Sequence, residues 1–480
     1  MLRHQHIVWV LIAALLAGCG KDFLQQDPTA ATETRHAIRD LAGLRAAING
    51  VYSLMQNENY YGRTMLLLPD LRSDNEYISV INSNRYRNLD QYIVTANDTY
   101  ITDSWNQLYS VVANANMVIQ KGPSALLAPS AADSAEATHI VAEAYATRGL
   151  VFFDLVRMYA QAYNYTADAS HMGIPLAVTT DVDAVQSPSR SSVKDTYAQI
   201  IADLNEAIRL FRDSKNSGYG AGRMNLYSAQ ALLARVLLYK GDWEGAAALT
   251  GQVINSSKYS LLPTDKMVSD FNQAGNSETI FEIINTPVDN RSTDALSAMF
   301  NQTAYGDVLA TDDVWKIYDE KDARLGFLKK DKRAGNGGEN PAIIITKYKD
   351  VTTFAENIKV MRLAELYLIR AEALAHLGND GEARQALDYV VLRANPGAAP
   401  VTAGGKALLD TIALERRKEL AFEGHRLFDM ARTGTSFVKF LASNRIITVA
   451  LPSPKIILPI PQRELDANPN IRHQQNEGYN

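Results

Sequence analysis

In one short stretch the chain sets out Asp70, Arg72, Asp74, Asn75 and Tyr77, and Arg85, Tyr86 and Tyr92 follow closely. Carboxylates, guanidinium groups, an amide and phenol rings together supply hydrogen-bond donors, acceptors and flat apolar faces. That mixture suits the binding of a polar ligand that also has an apolar face. Tyr305, Trp315 and Tyr318, far downstream, are candidates to complete an aromatic platform. All of these residues fall in segments without sustained periodicity, and long loops of that kind often carry function.

Signs of bond-breaking chemistry are missing from the sequence. No helix carries the paired histidines of a zinc protease, and no Gly-x-Ser-x-Gly elbow occurs. The eight histidines are scattered, and His425, despite acidic neighbours, reads as a core or solvated residue. Gly335-Asn336-Gly337-Gly338 leads through Pro341 into an apolar β-like run rather than a helix, so it reads as a loop and not a phosphate cradle. Asp312-Asp313, or Asp70 with Asp74, would hold at most an adventitious ion. A glycosidase needs only two suitably spaced carboxylates, which any acidic chain has on paper. No catalytic residue, cofactor or resident metal is therefore expected, and the chain reads as a binding protein rather than an enzyme.

The N-terminus carries an address. Arg3 precedes an apolar run from Ile7 to Ala17, too short to span a bilayer, and Leu16-Ala17-Gly18-Cys19 resembles the lipobox of bacterial lipoproteins. Residues 1–18 are thus expected to be a signal peptide, and Cys19 a lipidated first residue. Cys19 is also the only cysteine, which excludes an intrachain disulfide. Residues 19–34, polar and containing Pro28, read as a lipidated flexible tether. With 48 basic against 53 acidic side chains, nucleic acid is not an expected partner.

The elements that must position the candidate residues are mostly helical. The spacing predicts helices over 39–56 and 192–212, the latter capped by Ser191 or Ser192 with Asp195 in its first turn, and a helical pair around Trp105–Ile119 and Ala142–Tyr159. Two helix-turn-helix units, 226–256 and 361–394, align Gly241 with Gly378, Ala246 with Ala383 and Val253 with Val390, as tetratricopeptide-like hairpins do. Between them lie β-like runs at 279–284 and 342–348. A charged helix is predicted over 406–423. The expected fold is therefore mainly α: a tetratricopeptide-like helical-hairpin scaffold with long loops and a few short β-strands in an inserted C-terminal region. The expected divisions are 35–225 and 226–480, with a loop-rich insertion at about 257–355. Arg148, Arg157, Glu365, Glu372, Glu419, Glu423 and Arg426 lie on helices with apolar stripes, which predicts buried interhelical ion pairs; Glu423–Arg426 and Asp429–Arg432 are also spaced to pair within a helix. Trp105 and Trp243 read as core.

Taken together, several motifs resemble the SusD/RagB family of nutrient-binding outer-membrane lipoproteins. They include Asp22-Phe23-Leu24, Asn114-Ala115-Asn116, Arg148 with Phe152 to Arg157, and Gly173-Ile174-Pro175-Leu176. The likeness continues in Arg362 to Leu368, Glu415-Arg416-Arg417, Glu419 to Arg426, Phe428 to Arg432, and Leu458 to Pro461. The resemblance implies a cell-surface lipoprotein, anchored in the outer membrane and facing outward, that captures an oligosaccharide, or in some members a peptide. It would act as a hinged lid on a SusC-like TonB-dependent barrel. A different class, a helical-repeat lipoprotein that binds only protein partners, is the alternative.

Overall fold

The computed structural model describes residues 38–124, 130–181, 187–215 and 220–479. The signal-like run, Cys19 and the segment through Thr34 lie outside them. Among the described residues no helix is long and apolar enough to cross a membrane.

The N-terminal half is built on α1 (Leu41–Met55), the short α2 (Thr64–Leu71), α3 (Thr99–Lys121), α4 (Ala131–Tyr159) and α5 (Val193–Ser214). Their starts are encoded locally: the Asp40 and Ser192 side chains accept from the backbone N–H of Gly43 and Asp195 at 2.7 and 3.0 Å. Each bond satisfies a donor that the first helical turn would otherwise leave orphaned. α4 is buried on nearly every side from Ile140 to Tyr159, with α3 and α5 against it. A helix buried all round sits at the centre of a bundle, and its charges Glu143, Arg148 and Asp154 are accordingly paired.

In the C-terminal half α6 (Leu226–Lys240) and α7 (Trp243–Ile254) form one hairpin, and α8 (Leu363–His376) and α9 (Asp380–Ala394) form another. Gly241 and Gly378 make the turns at φ of +80° and +77°, the left-handed region that glycine enters without strain. Ala246, Val253, Ala383 and Val390 are buried, so the small-residue alignment marks the packing seams of the two hairpins. α10 (Gly405–Leu420) and α11 (Arg426–Thr433) complete the scaffold. The fold is mainly α and tetratricopeptide-like, with few short strands.

Those strands are β1 (Glu76–Ile78), β2 (Met172–Pro175), β3 (Arg190–Ser192), β4 (Thr279–Ile283), β5 (Val308–Ala310), β6 (Leu328–Asp331), β7 (Ala342–Ile345), β8 (Ile358–Arg362), β9 (Phe437–Leu441) and β10 (Arg445–Val449). One sheet, ordered β1-β5-β7-β6, is antiparallel throughout. β1 comes from the loop-rich stretch after α1, the other three from the insertion after α7. This pairing brings the two sets of candidate residues into one region.

Buried ion pairs tie the helices to one another and, through Arg362, to β8. Arg148 forks onto Asp203 (2.8 and 2.6 Å) and Arg235 onto Glu365 (2.7 and 2.5 Å), while Arg432 grips Glu372 (2.5 and 2.9 Å). Glu419 meets Arg393 at 2.8 Å and Arg362 at 3.2 Å. Burial alone would raise its carboxyl, but Arg393, Arg362 and Arg324 hold it far below the usual range. Asp429 and Arg432 pair as their spacing predicts, at 2.8 Å. Glu423 and Arg426 do not pair, because α10 stops at Leu420 and the chain turns between them. Glu423 instead bonds Lys347 (2.5 Å) and Arg362 (2.8 Å), and Arg426 reaches Asp74.

Candidate functional site

Where β1 meets the insertion, a cleft of about 710 Å³ opens at the surface. Tyr77 and Val80 line one side, Asp312, Asp313 and Lys316 another, and Glu339 belongs to the loop that leads into β7. The β9–β10 hairpin adds Phe440, Leu441, Ser443 and Asn444. Phe440 is 36% exposed, so its ring is available at the rim. Tyr77 is half-buried against Leu309, Ala342 and Ile344. Its hydroxyl is held protonated far above the ordinary tyrosine range, first by burial and then by the nearby charges of Glu339 and Asp312.

The cleft walls are fixed by hydrogen bonds between distant loops. Glu339 accepts from the Ser79 hydroxyl at 2.7 Å and from the Val80 N–H at 2.8 Å. Arg333 donates to the carbonyls of Ile81 (2.9 Å) and Tyr305 (2.8 Å). Arg417 holds Asp313 at 2.8 Å, whereas Asp312 and Lys316 face each other at 3.8 Å and are both largely exposed. The hairpin is pinned from below by buried Lys439, which pairs with Asp90 at 2.7 Å and donates to the carbonyls of Glu76 (2.6 Å) and Phe440 (2.8 Å). Burial lowers the Lys439 ammonium, and Asp90 opposes that shift.

The structure divides the sequence candidates. Asp70, Arg72, Asp74, Asn75 and Tyr86 are buried and occupied within the fold, which takes them out of ligand reach. Asp70 accepts from Asn75 Nδ2 and from the N–H groups of Phe422 and Gly424, at 2.7, 3.3 and 2.7 Å. Burial still raises its carboxyl to about 6. Arg72 donates to the carbonyls of Lys455 and Ile456, Asp74 pairs with Arg426 and Arg417, and Asn75 accepts from Arg417. Tyr86 bonds Arg63 and Thr64 and stacks on Tyr100 at 4.0 Å between centroids. Tyr92 donates to the Arg72 carbonyl, and Tyr318 to that of Lys418. These residues build the support of the cleft rather than its surface. Polarity in a loop does not reveal whether the side chain turns inward.

Nearer the surface, Tyr77 lines the cleft, and Arg85 lies over the Tyr305 ring at 3.8 Å while donating to its hydroxyl at 2.9 Å. Trp315 is half-buried, with Lys330 Nζ at 5.7 Å from its ring. The cleft also brings in Phe440, Lys316 and Glu339, which the sequence does not single out. Phe440 gave no signal in the sequence: Phe437-Val438-Lys439-Phe440-Leu441 does not alternate apolar with polar, and the strand buries Lys439 while exposing Val438 and Phe440. Trp105 is core, but Trp243 is only half-buried and stacks on His376. Among the described residues no three or more His, Cys, Asp or Glu side chains converge as a metal site.

Two family models together match residues 22–479. One, described as the SusD family, matches residues 239–479, and the other, described as "Starch-binding associating with outer membrane", matches residues 22–238. The SusD-like protein P2 of Formosa agariphila is 25% identical and aligns over 100% of both chains. A SusD superfamily protein from Bacteroides thetaiotaomicron superposes with a TM-score of 0.82 at 28% identity, covering 91% of this chain and 99% of that one. A SusD-like carbohydrate binding protein from Bacteroides vulgatus gives a TM-score of 0.77 at 23% identity over 91% and 98%, a likeness of fold.

Proposed function

The chain belongs to the SusD family, and on that premise we propose that it captures an oligosaccharide in the Tyr77 cleft as the lid subunit of an outer-membrane importer. Membership carries a SusD-type nutrient-binding role; the ligand class, the cleft and the partner are the proposal. The observation that carries it is the cleft itself, in which the exposed rim ring of Phe440 and the half-buried Tyr77 share one concavity with Asp312, Lys316, Ser443 and Asn444. Sugar C–H faces stack on such rings, and hydroxyls bond to such polar groups. The starch-binding description of the N-terminal family model supports a carbohydrate.

The anchor and the partner follow the same reading. Cys19 carries the lipid, residues 20–34 act as a tether, and the lid closes ligand over a SusC-like TonB-dependent barrel at the cell surface. A glycan array probed with the mature protein, together with affinity capture from solubilised outer membranes, tests this. Binding of oligosaccharides that is weakened in Tyr77→Ala and Phe440→Ala, with recovery of a large barrel, is the expected result. Absence of glycan binding would remove the ligand class, and absence of a barrel would remove the lid role.

A further inference from the structure

Charge is unevenly distributed around the Tyr77 cleft. Among the described residues, Asp312, Asp313 and Glu339 line it against one cation, Lys316. Arg417 neutralises Asp313 at 2.8 Å. Glu339 is met differently. The Ser79 hydroxyl and the Val80 N–H that bond its two oxygens are uncharged, and neighbouring Arg333 directs its Nη groups to Gln302 and to the carbonyls of Ile81 and Tyr305. The Glu339 charge is thus held in place without being cancelled, and a concave wall focuses the field of such a charge into the cleft. Tyr77 registers the sign of that field. Burial is the first cause that holds its hydroxyl protonated, and the next three are the carboxylates of Glu339, Asp312 and Asp90.

Asp312 and Lys316 form the open pair of the cleft. Their charged atoms are 3.8 Å apart, beyond hydrogen-bond reach, and the side chains are 67% and 72% exposed. An acceptor and a donor therefore stand side by side with their bonding capacity left for a ligand. Adjacent hydroxyls of a sugar ring, each able to donate and accept, suit such a pair. A ring bearing a carboxylate or a sulfate would instead bring like charge towards Asp312 and Glu339, with Lys316 alone to offset the two.

Resting on the reading of this cleft as the saccharide site, we infer that it is selective for uncharged saccharides: Asp312 and Lys316 bond adjacent hydroxyls, and Asp312 with Glu339 repels uronates and sulfated sugars.

The test is an array on which each neutral oligosaccharide is spotted beside the same chain oxidised to carboxylates at C6 and beside its sulfated form, cellohexaose and mannohexaose among them. The mature protein should retain the neutral members. Calorimetry of the tightest neutral binder and its oxidised form should then show at least a tenfold preference for the neutral chain at low salt, narrowing in 1 M NaCl, where the Debye length is about 3 Å. Asp312→Asn keeps the side-chain shape and the hydrogen bonding but removes the charge, so it should narrow that preference at least threefold, whereas Lys316→Gln should widen it. Both positions are exposed, and the melting temperature should stay level in each variant. A uronate or sulfated chain bound as tightly as its neutral counterpart, or a preference that both variants leave unmoved, would overturn the selectivity and leave the cleft as a saccharide site. Retention of no glycan at all would remove the saccharide reading beneath it, and the inference with it.

Discussion

Tyr77 on β1 stands directly opposite Leu309 on β5 in an antiparallel pair. Through that pairing a residue near the start of the fold becomes one wall of a cleft whose other walls come from the insertion and the C-terminal hairpin. Mutations that act on the supports of this arrangement should be separable from those that act on its surface.

Glu419→Ala tests the supports. It would leave Arg393, Arg362 and Arg324 short of a buried carboxylate. Breaking such a network by removing one partner costs about 3–5 kcal/mol. Urea unfolding should report that loss, while the protein that remains folded binds glycan with unchanged affinity. An unchanged unfolding midpoint with abolished binding would make Glu419 a ligand residue instead.

Glycine at two left-handed positions should respond differently to a methyl group. Gly378 has φ of +77° and open space around a built Cβ, so Gly378→Ala should cost about 1–2 kcal/mol from backbone strain alone. Gly424 has φ of +78°, and its Cβ would fall 2.5 Å from the Met65 carbonyl oxygen and 2.9 Å from the Leu66 Cα. Backbone cannot yield as a side chain can. Gly424→Ala should therefore be the more harmful by at least about 2 kcal/mol, counting strain and overpacking together. Equal melting temperatures for the two variants would contradict this.

How much of this was readable in advance depends on the distance over which each feature is encoded. Ser192 caps its helix through a residue three positions away, and Gly241 and Gly378 end theirs on the spot, so the hairpins were legible. The buried charges were legible as a class, because Glu419 and Arg148 lie on apolar helix faces. Partners were not: Glu423 chooses Lys347 and Arg362 over nearby Arg426 only because the chain turns after Leu420. The cleft was least legible, since β1–β5 pairing joins remote segments and Asp70 to Asn75 turn inward to meet Phe422, Gly424 and Arg417.

Acid should weaken the protein in two windows. Burial lowers the His425 imidazole to about 4, against the opposing pull of Glu365. A histidine in the unfolded chain titrates near about 6.5. The group is therefore stabilising while neutral: its contribution is whole above about 6.5 and is lost as pH falls towards 4, amounting to as much as about 3 kcal/mol. Glu365 acts lower. Burial would raise it, but Arg235 and His425 bring it to about 2. Its contribution is whole above about 4.3 and fades as pH falls through 2. Between pH 7 and 4, wild type should lose stability relative to His425→Gln, and NMR should find the imidazole neutral at pH 6. Titration near 6.5 would refute the buried neutral form.

The supports of the hairpin offer a further separation. Lys439→Met would leave Asp90 buried beside Glu76, whose carboxyl burial, Asp70 and Asp90 already raise well above its usual range. Loss of about 3 kcal/mol or more is expected, with hydrogen exchange accelerating first across β9 and β10. Exchange that accelerates uniformly over the chain would contradict the local pinning.

The central claim is that the Tyr77 cleft holds the saccharide. Its most direct test is calorimetry of wild type, Tyr77→Ala and Phe440→Ala against an oligosaccharide selected from the array, with melting temperatures measured alongside. Each variant should weaken binding about tenfold, equivalent to about 1.4 kcal/mol, with the fold intact. Unaltered affinity in both variants, at unaltered stability, would place the ligand elsewhere on the protein.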